Sequence, residues 1–158
     1  MGQKQYMPSY EEQKIMQYNP GQMFNLVADV EKYPDFLPWC ISSKVYKNDK
    51  NIIEATLLVG FHFAREKFRS RVELDHNNYS INTKQTHGPF KYLSNSWKFK
   101  EHPEGCKVDF FIDFELRSPI LKKIMTTLFA EAAQKMVISF ENRAQLLYGN
   151  SKIKSYNQ

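Results

Sequence analysis

The side chains able to do chemistry are scattered along this 158-residue chain rather than gathered into a motif. Its four histidines, His62, His76, His87 and His102, show neither the i, i+4 pairing nor the His-x-Glu spacing that presents two ligands to one metal ion. They read as surface histidines. Cys40 and Cys106 each stand alone, without the close partner of a zinc site or a disulfide framework, and read as buried free thiols of a reducing compartment. There is no glycine-rich phosphate loop and no nucleophile elbow, and neither cysteine has a histidine beside it. Catalytic triads assemble from distant positions, so an enzyme is disfavoured rather than excluded. No catalytic residue and no metal site is assigned.

What remains are polar groups set into apolar strands. Asn95 shares a strand face with Leu93, Trp97 and Phe99, while Ser94, Ser96, Lys98 and Lys100 occupy the other. It is an amide aimed at an apolar interior, where a polar group without a partner is costly. Glu54 lies between Ile53 and Ala55. Glu66 shares a face with Phe68, Ser70 and Val72, and the opposite face of that strand carries Arg65, Lys67, Arg69 and Arg71. Such a stripe is either ordinary solvated sheet surface or a docking strip for lipid headgroups or ribosomal RNA, and both readings stay open.

The elements that position these groups follow from periodicity. Tyr10 to Met16 forms a first strand, and Asn19-Pro20 then starts a helix, with a capping side chain followed by proline at the first helical position. Met23, Phe24, Val27, Ala28 and Val30 follow at helical spacing. Pro34 and Pro38 limit the aromatic segment Tyr33–Cys40 to about one helical turn. Strand signals recur at Ser42–Lys47, Ile52–Val59, Arg65–Leu74, Tyr79–Thr86, Tyr92–Lys100 and Lys107–Glu115, separated by turn-forming clusters short enough to make an antiparallel meander. Val108, Phe110, Ile112 and Phe114 alternate with charged residues, so one face of the last strand must be covered. From Pro119 to Leu147 a single helix carries an apolar stripe (Leu121, Met125, Leu128, Phe129, Ala132, Met136, Phe140, Ala144 and Leu147), and Gly149 ends it. The fold class is α+β.

Composition sets outer bounds. A chain of this length buries roughly 70% of its unfolded surface, enough for one real core. A single domain over residues 7–148 is expected, with tails at 1–6 and 149–158. Lys and Arg total 22 against 17 acids, with no block of like charge, which permits weak attraction to an anionic membrane or RNA without demanding either. No stretch reaches the roughly 18 apolar residues of a membrane span, and a signal-peptide core and an Arg-rich transit peptide are both missing. A soluble or peripheral protein is expected. Tyr6 stands where a myristoylation site needs a small hydroxyl residue.

Several segments together resemble a known family. Tyr33-Pro34-Asp35-Phe36-Leu37-Pro38-Trp39-Cys40, Val59-Gly60-Phe61, Gly88-Pro89-Phe90-Lys91-Tyr92-Leu93 with Asn95 and Trp97, and Asp113-Phe114-Glu115 with Leu128-Phe129 resemble the coenzyme Q-binding START-domain family, part of the polyketide cyclase/START-like superfamily. The resemblance runs from about Met7 to Tyr148. It implies the helix-grip fold, a curved antiparallel β-sheet wrapped around the long C-terminal helix with an apolar tunnel between them. Mitochondrial members bind ubiquinone and support respiration; bacterial ones are regarded as quinone-binding proteins or as a ribosome association toxin that blocks joining of the subunits.

Without the resemblance, the aromatic stripes read as solid core. With it they become a lining, contributed by Leu57, Val59, Phe61, Trp97, Phe99, Phe110 and Phe114 from the strands and by Leu128, Phe129, Ala132, Met136 and Phe140 from the helix. Asn95 becomes the polar partner of a quinone ring, and Tyr33, Phe36, Leu37 and Trp39 the gate. The implied function is non-enzymatic binding of ubiquinone or a related polyprenyl lipid, with no cofactor beyond that ligand. The implied place is the bacterial cytoplasm, peripheral on the inner membrane, with no DNA partner. The alternative is a ribosome-binding inhibitor of subunit association, which the positive charge and the Arg65–Arg71 stripe would serve. A cyclase-like enzyme within the same fold is a third reading, with fold analogy as its main warrant.

Overall fold

Alternation of apolar and polar residues becomes seven strands among the described residues, which in this computed structural model are 9–61 and 64–149, the side chains of Phe61 and Thr127 excepted. The strands are β1 (Ser9–Met16), β2 (Cys40–Asn48), β3 (Ile52–Phe61), β4 (Ala64–Asp75), β5 (Ser80–His87), β6 (Phe90–His102) and β7 (Gly105–Leu116). They form one antiparallel sheet in the order β1-β7-β6-β5-β4-β3-β2. The meander β2 to β7 is therefore as expected, and β1 pairs with the last strand rather than the next, with Ser9 opposite Asp113 and Met16 opposite Cys106.

Between β1 and β2 the chain crosses to the other edge of the sheet through α1 (Pro20–Ala28) and a short 3-10 helix (Val30–Asp35). The start of α1 is a full capping box. Gln22 N–H donates to Asn19 Oδ1 at 2.8 Å, and Asn19 N–H to Gln22 Oε1 at 3.0 Å. Val30, expected on this helix, instead opens the 3-10 segment. Pro34 has no N–H to return to the Val30 carbonyl, so an α-helical turn cannot close there and the chain tightens.

The long helix α2 (Pro119–Tyr148) is capped by Ser118, whose Oγ accepts the Leu121 N–H, and ends at Gly149 in the left-handed region. Thirty residues span about 45 Å, enough to cross the whole domain. Its buried side is Phe129, Ala133, Val137, Phe140 and Ala144. Leu147, expected on the covered stripe, is 51% exposed, because α1 covers the neighbouring Tyr148, whose hydroxyl donates to the Gln22 carbonyl at 3.1 Å, and leaves Leu147 outside. The register is interrupted between Cys40 and Ser42, Val45 and Lys47, Arg69 and Ser70, and Phe90 and Tyr92. Such irregularities bend a sheet and increase its twist, which curls it toward α2. At the β6–β7 turn Gly105 has φ +142°, and a Cβ there would sit 2.2 Å from the Met16 carbonyl oxygen. Only glycine lets the end of β1 lie this close.

The core is dense at one end. Met23, Phe24 and Val27 of α1 are buried with Met16, Phe99, Val108, Phe110 and Phe140 in one cluster, and Trp97 lies 4.4 Å from Phe110 and 5.0 Å from Phe140, centroid to centroid. A second, smaller cluster gathers Phe114, Leu116, Phe129 and Ala133 toward the start of α2.

Candidate functional site: an apolar cavity under the long helix

Beside Trp97 the packing opens into a cavity of about 160 Å³ between the concave sheet face and α2. Strand alternation explains its wall, since every second residue of β3, β4 and β6 points into it: Leu57 and Val59, then Phe68, Ser70 and Val72, then Leu93, Asn95 and Trp97. Thr83, Phe90, Ile112 and Phe114 complete the sheet side. From α2 come Met125, Phe129, Ala132, Ala133, Met136 and Phe140, a stripe at helical spacing in which two alanines leave room. Val30, Tyr33, Leu37, Trp39 and Cys40 close the end nearest Phe140.

Of the residues expected to line a ligand site, the fold brings together Leu57, Val59, Asn95, Trp97, Phe114, Phe129, Ala132, Met136 and Phe140, and of the expected gate Tyr33, Leu37 and Trp39. Four do not reach the cavity. Phe99 and Phe110, 2% and 1% exposed, are buried on the far side of Trp97, where α1 packs against β6 and fills the space. Leu128 is turned about 100° around the helix from Phe129 and misses the lining. Phe36 packs edge-on against Tyr33 and Phe140, under the Arg143 guanidinium, outside the lining. The side chain of Phe61 lies outside the described residues.

Several lining residues were not foreseen. The face shared by Phe68, Ser70 and Val72 was visible in the alternation but had been given no role. Phe90, Leu93 and Met125 stood within recognised segments or the helical stripe. Ile112, Val30, Cys40 and Ala133 carried an apolar pattern but no sign that it faced a cavity, and Thr83 carried no signal of its own, because only the curvature of the sheet brings them to the lining.

Two polar atoms of the mostly apolar lining stand out. Ser70 Oγ and Asn95 Oδ1 are both buried without a hydrogen-bond partner. They stand on strands flanking β5, where Thr83 faces Asn95 and Val72 in register. Gln85, opposite Ser70, is occupied elsewhere, since it donates to the Phe90 carbonyl at 2.8 Å and accepts the Phe90 N–H at 3.1 Å. The ionisable groups of the lining are Tyr33 and Cys40. Burial pushes the Tyr33 phenol well above its ordinary value, and its hydroxyl donates to the Val27 carbonyl. Burial pushes the Cys40 thiol up to about 11. Both are neutral near pH 7, and among the described residues no histidine, lysine, arginine or carboxylate lines the cavity. Tyr33 is a pinned wall, held by that hydrogen bond and by edge contacts with Phe36 and Phe140. No cluster of three metal-ligating side chains occurs among the described residues, and no helix there is long and apolar enough to cross a membrane.

A curved antiparallel sheet gripping a long C-terminal helix over an apolar cavity defines a helix-grip, START-like protein. The chain belongs to the family described as polyketide cyclase/dehydrase and lipid transport, which it matches over residues 16–141. A relative in Rickettsia prowazekii, named ribosome association toxin RatA, is 37% identical over 142 residues, covering 88% of this chain and 97% of that one. A mitochondrial coenzyme Q-binding protein COQ10 homolog B of Xenopus laevis is 31% identical over 149 residues, 91% of this chain and 61% of that one. The solution structure of an 18 kDa protein from Caulobacter crescentus superposes with a TM-score of 0.74 at 36% identity, covering 91% of this chain and all of the other.

Proposed function

We propose that this protein binds a lipid of the ubiquinone class, a polar ring on a polyprenyl chain, between its sheet and α2, and that it does so without catalysing a reaction. The observation that carries this reading is the pair of unpartnered polar atoms, Ser70 Oγ and Asn95 Oδ1, in a mostly apolar cavity. A buried polar group without a partner costs about 1–3 kcal/mol, and a quinone ring supplies partners: its carbonyls accept from the Ser70 hydroxyl, and the hydroxyls of its reduced form donate to Asn95 Oδ1. With no described lining group poised to gain or lose a proton near neutral pH, the lining favours retention over chemistry. Each buried CH₂ of the chain is worth about 0.8 kcal/mol against water and close to nothing against a bilayer, so such a ligand is held in solution and returned to a membrane without a trap.

The test is mass spectrometry of lipids extracted from gently purified protein, beside the variant Ala132→Phe, which fills the cavity from its helix side. A polyprenyl quinone near stoichiometry in the wild type alone is the expected result. Equal amounts in both, or none in either, would overturn the assignment.

A second reading has its own observation. Arg65, Lys67 and Arg69 are exposed on the outer face of β4, with Lys44 of β2 and Lys84 of β5 exposed on neighbouring strands, whereas Arg71 is engaged by Glu54 at 3.9 Å and Glu73 at 3.5 Å. That face suits RNA phosphates and, with the toxin named among the relatives, supports binding to the ribosome. Excess protein would then shift sucrose-gradient profiles from joined ribosomes to free subunits, and an unchanged profile would end this reading.

A further inference from the structure

The apolar lining continues past the main cavity. A second hollow of about 50 Å³ is walled by Ala64, Pro89, Leu116, Leu121 and Ile124, with Glu66 at its side. Val59, Phe90 and Met125 face both hollows, so one layer of side chains separates them. Met125, unbranched, is the member of that layer that repacks most easily. An apolar cavity of about 150 Å³ accepts a benzene-sized molecule. The main cavity, about 160 Å³, therefore suits one substituted ring, and a long tail attached to it has to leave the protein. The second hollow marks the direction in which the apolar path runs outward.

At that end the surface combines apolar and cationic groups. Ile120 is 71% exposed, and Leu121 and Ile124 beside it are half-buried. Around them stand Lys91 of β6 and Arg117, Lys122 and Lys123, all exposed, with exposed Arg65 and Lys67 on the outer face of the stretch of β4 whose Ala64 and Glu66 wall the hollow. Hydrogen bonds and ion pairs tie these segments together. Arg117 N–H donates to the Pro89 carbonyl at 3.1 Å, and Lys91 and Lys122 reach the same Glu115 carboxylate at 3.3 and 3.9 Å. Glu66 and Glu115 are the carboxylates set among these cations. The first turn of α2 carries no acid, although a helix N-terminus favours negative charge.

We propose that this end of the molecule docks on an anionic phospholipid bilayer. Ile120 enters the acyl layer, the surrounding lysines and arginines meet headgroup phosphates, and the second hollow opens into hydrocarbon. RNA offers the phosphate charge but no apolar layer for Ile120. The opposite end of α2 also exposes Leu146 and Leu147, at 74% and 51%, yet neither lines a hollow. The proposal rests on the quinone reading only for its cargo, so docking is tested with vesicles that contain no quinone.

Flotation of the full chain with phosphatidylcholine vesicles, with and without phosphatidylglycerol, is the experiment. The expected result is recovery with the anionic vesicles, weakened severalfold by high salt. Ile120→Glu, and separately the pair Lys122→Glu and Lys123→Glu, should each reduce that recovery severalfold, while Leu146→Glu leaves it unchanged. Ile120 is exposed and glutamate suits a first helical turn, so the fold should survive, as unchanged melting would verify. Wild-type protein that stays with the soluble fraction would overturn the proposal, as would undiminished flotation of Ile120→Glu. Binding to an RNA homopolymer, lost with the lysine pair but retained by Ile120→Glu, together with no vesicle binding, would assign the surface to RNA instead. Protein that floats yet yields no quinone on extraction would keep the docking surface and remove the cargo.

Discussion

Ser70 and Asn95 pull stability and binding in opposite directions. Each leaves a buried oxygen unpaired in the empty cavity, and removing such a group together with its desolvation cost stabilises a fold when the replacement is apolar and of similar size. Asn95→Leu is therefore expected to raise the melting temperature of ligand-free protein while weakening retention of the reduced, hydroxyl-bearing quinol by about tenfold, one hydrogen bond's worth at 1.4 kcal/mol per decade. Thermal melts and quinol titration measure the two effects independently. A lower melting temperature with unchanged affinity would mean that Asn95 serves the fold instead. The inward placement of Asn95 was legible because it shares its strand face with Leu93, Trp97 and Phe99 in strict alternation. Ser70 was overlooked, although it lies between Phe68 and Val72 on the same kind of face, because a small hydroxyl in a strand is unremarkable until the cavity beside it is known.

At the scale of elements, alternation and turn chemistry were sufficient to place the strands and both α-helices, since each pattern is local and most boundaries, though not that between β3 and β4, are marked by Asn, Asp, Gly or Pro. The turn joining β4 to β5 shows why. Asp75 accepts N–H bonds from Asn77 and Asn78 at 3.0 and 3.1 Å and one from the Asn78 side chain at 2.9 Å, and these bonds hold its carboxyl below the usual carboxylate range. A carboxyl whose pKa is lower folded than unfolded stabilises the fold above its unfolded pKa, and that contribution fades as pH falls through the folded value. Asp75→Ala should thus lower the urea midpoint at neutral pH, with the difference from wild type shrinking in acid; a constant difference across that range would refute the turn assignment. What local pattern could not reveal was the division of one apolar face into core and cavity. Phe99 and Trp97 are two residues apart on the same side of β6, yet Phe99 is sealed under α1 while Trp97 borders empty space, and that depends on where α1 crosses the sheet.

For the whole molecule, the hollow interior costs stability that a ligand can return. Voids forgo dispersion contacts along their lining, and large-to-small substitutions that open cavities lose roughly 24 cal/mol per Å³, so an unfilled cavity of about 160 Å³ is a liability of a few kcal/mol. A ligand that binds only the folded state adds about 2.7 kcal/mol when present at a hundred times its dissociation constant. For a domain of this size that corresponds to a shift of about 5–10 °C in melting temperature. Wild-type protein is expected to show such a shift with a soluble short-chain ubiquinone. Ala132→Phe, its cavity occupied by its own side chain, should melt no lower than wild type without ligand and show no shift with it. Differential scanning fluorimetry over a ligand series measures both. An equal shift in the two proteins would place the ligand outside the cavity, because one site cannot be filled by a phenyl ring and still take the same quinone with the same free energy.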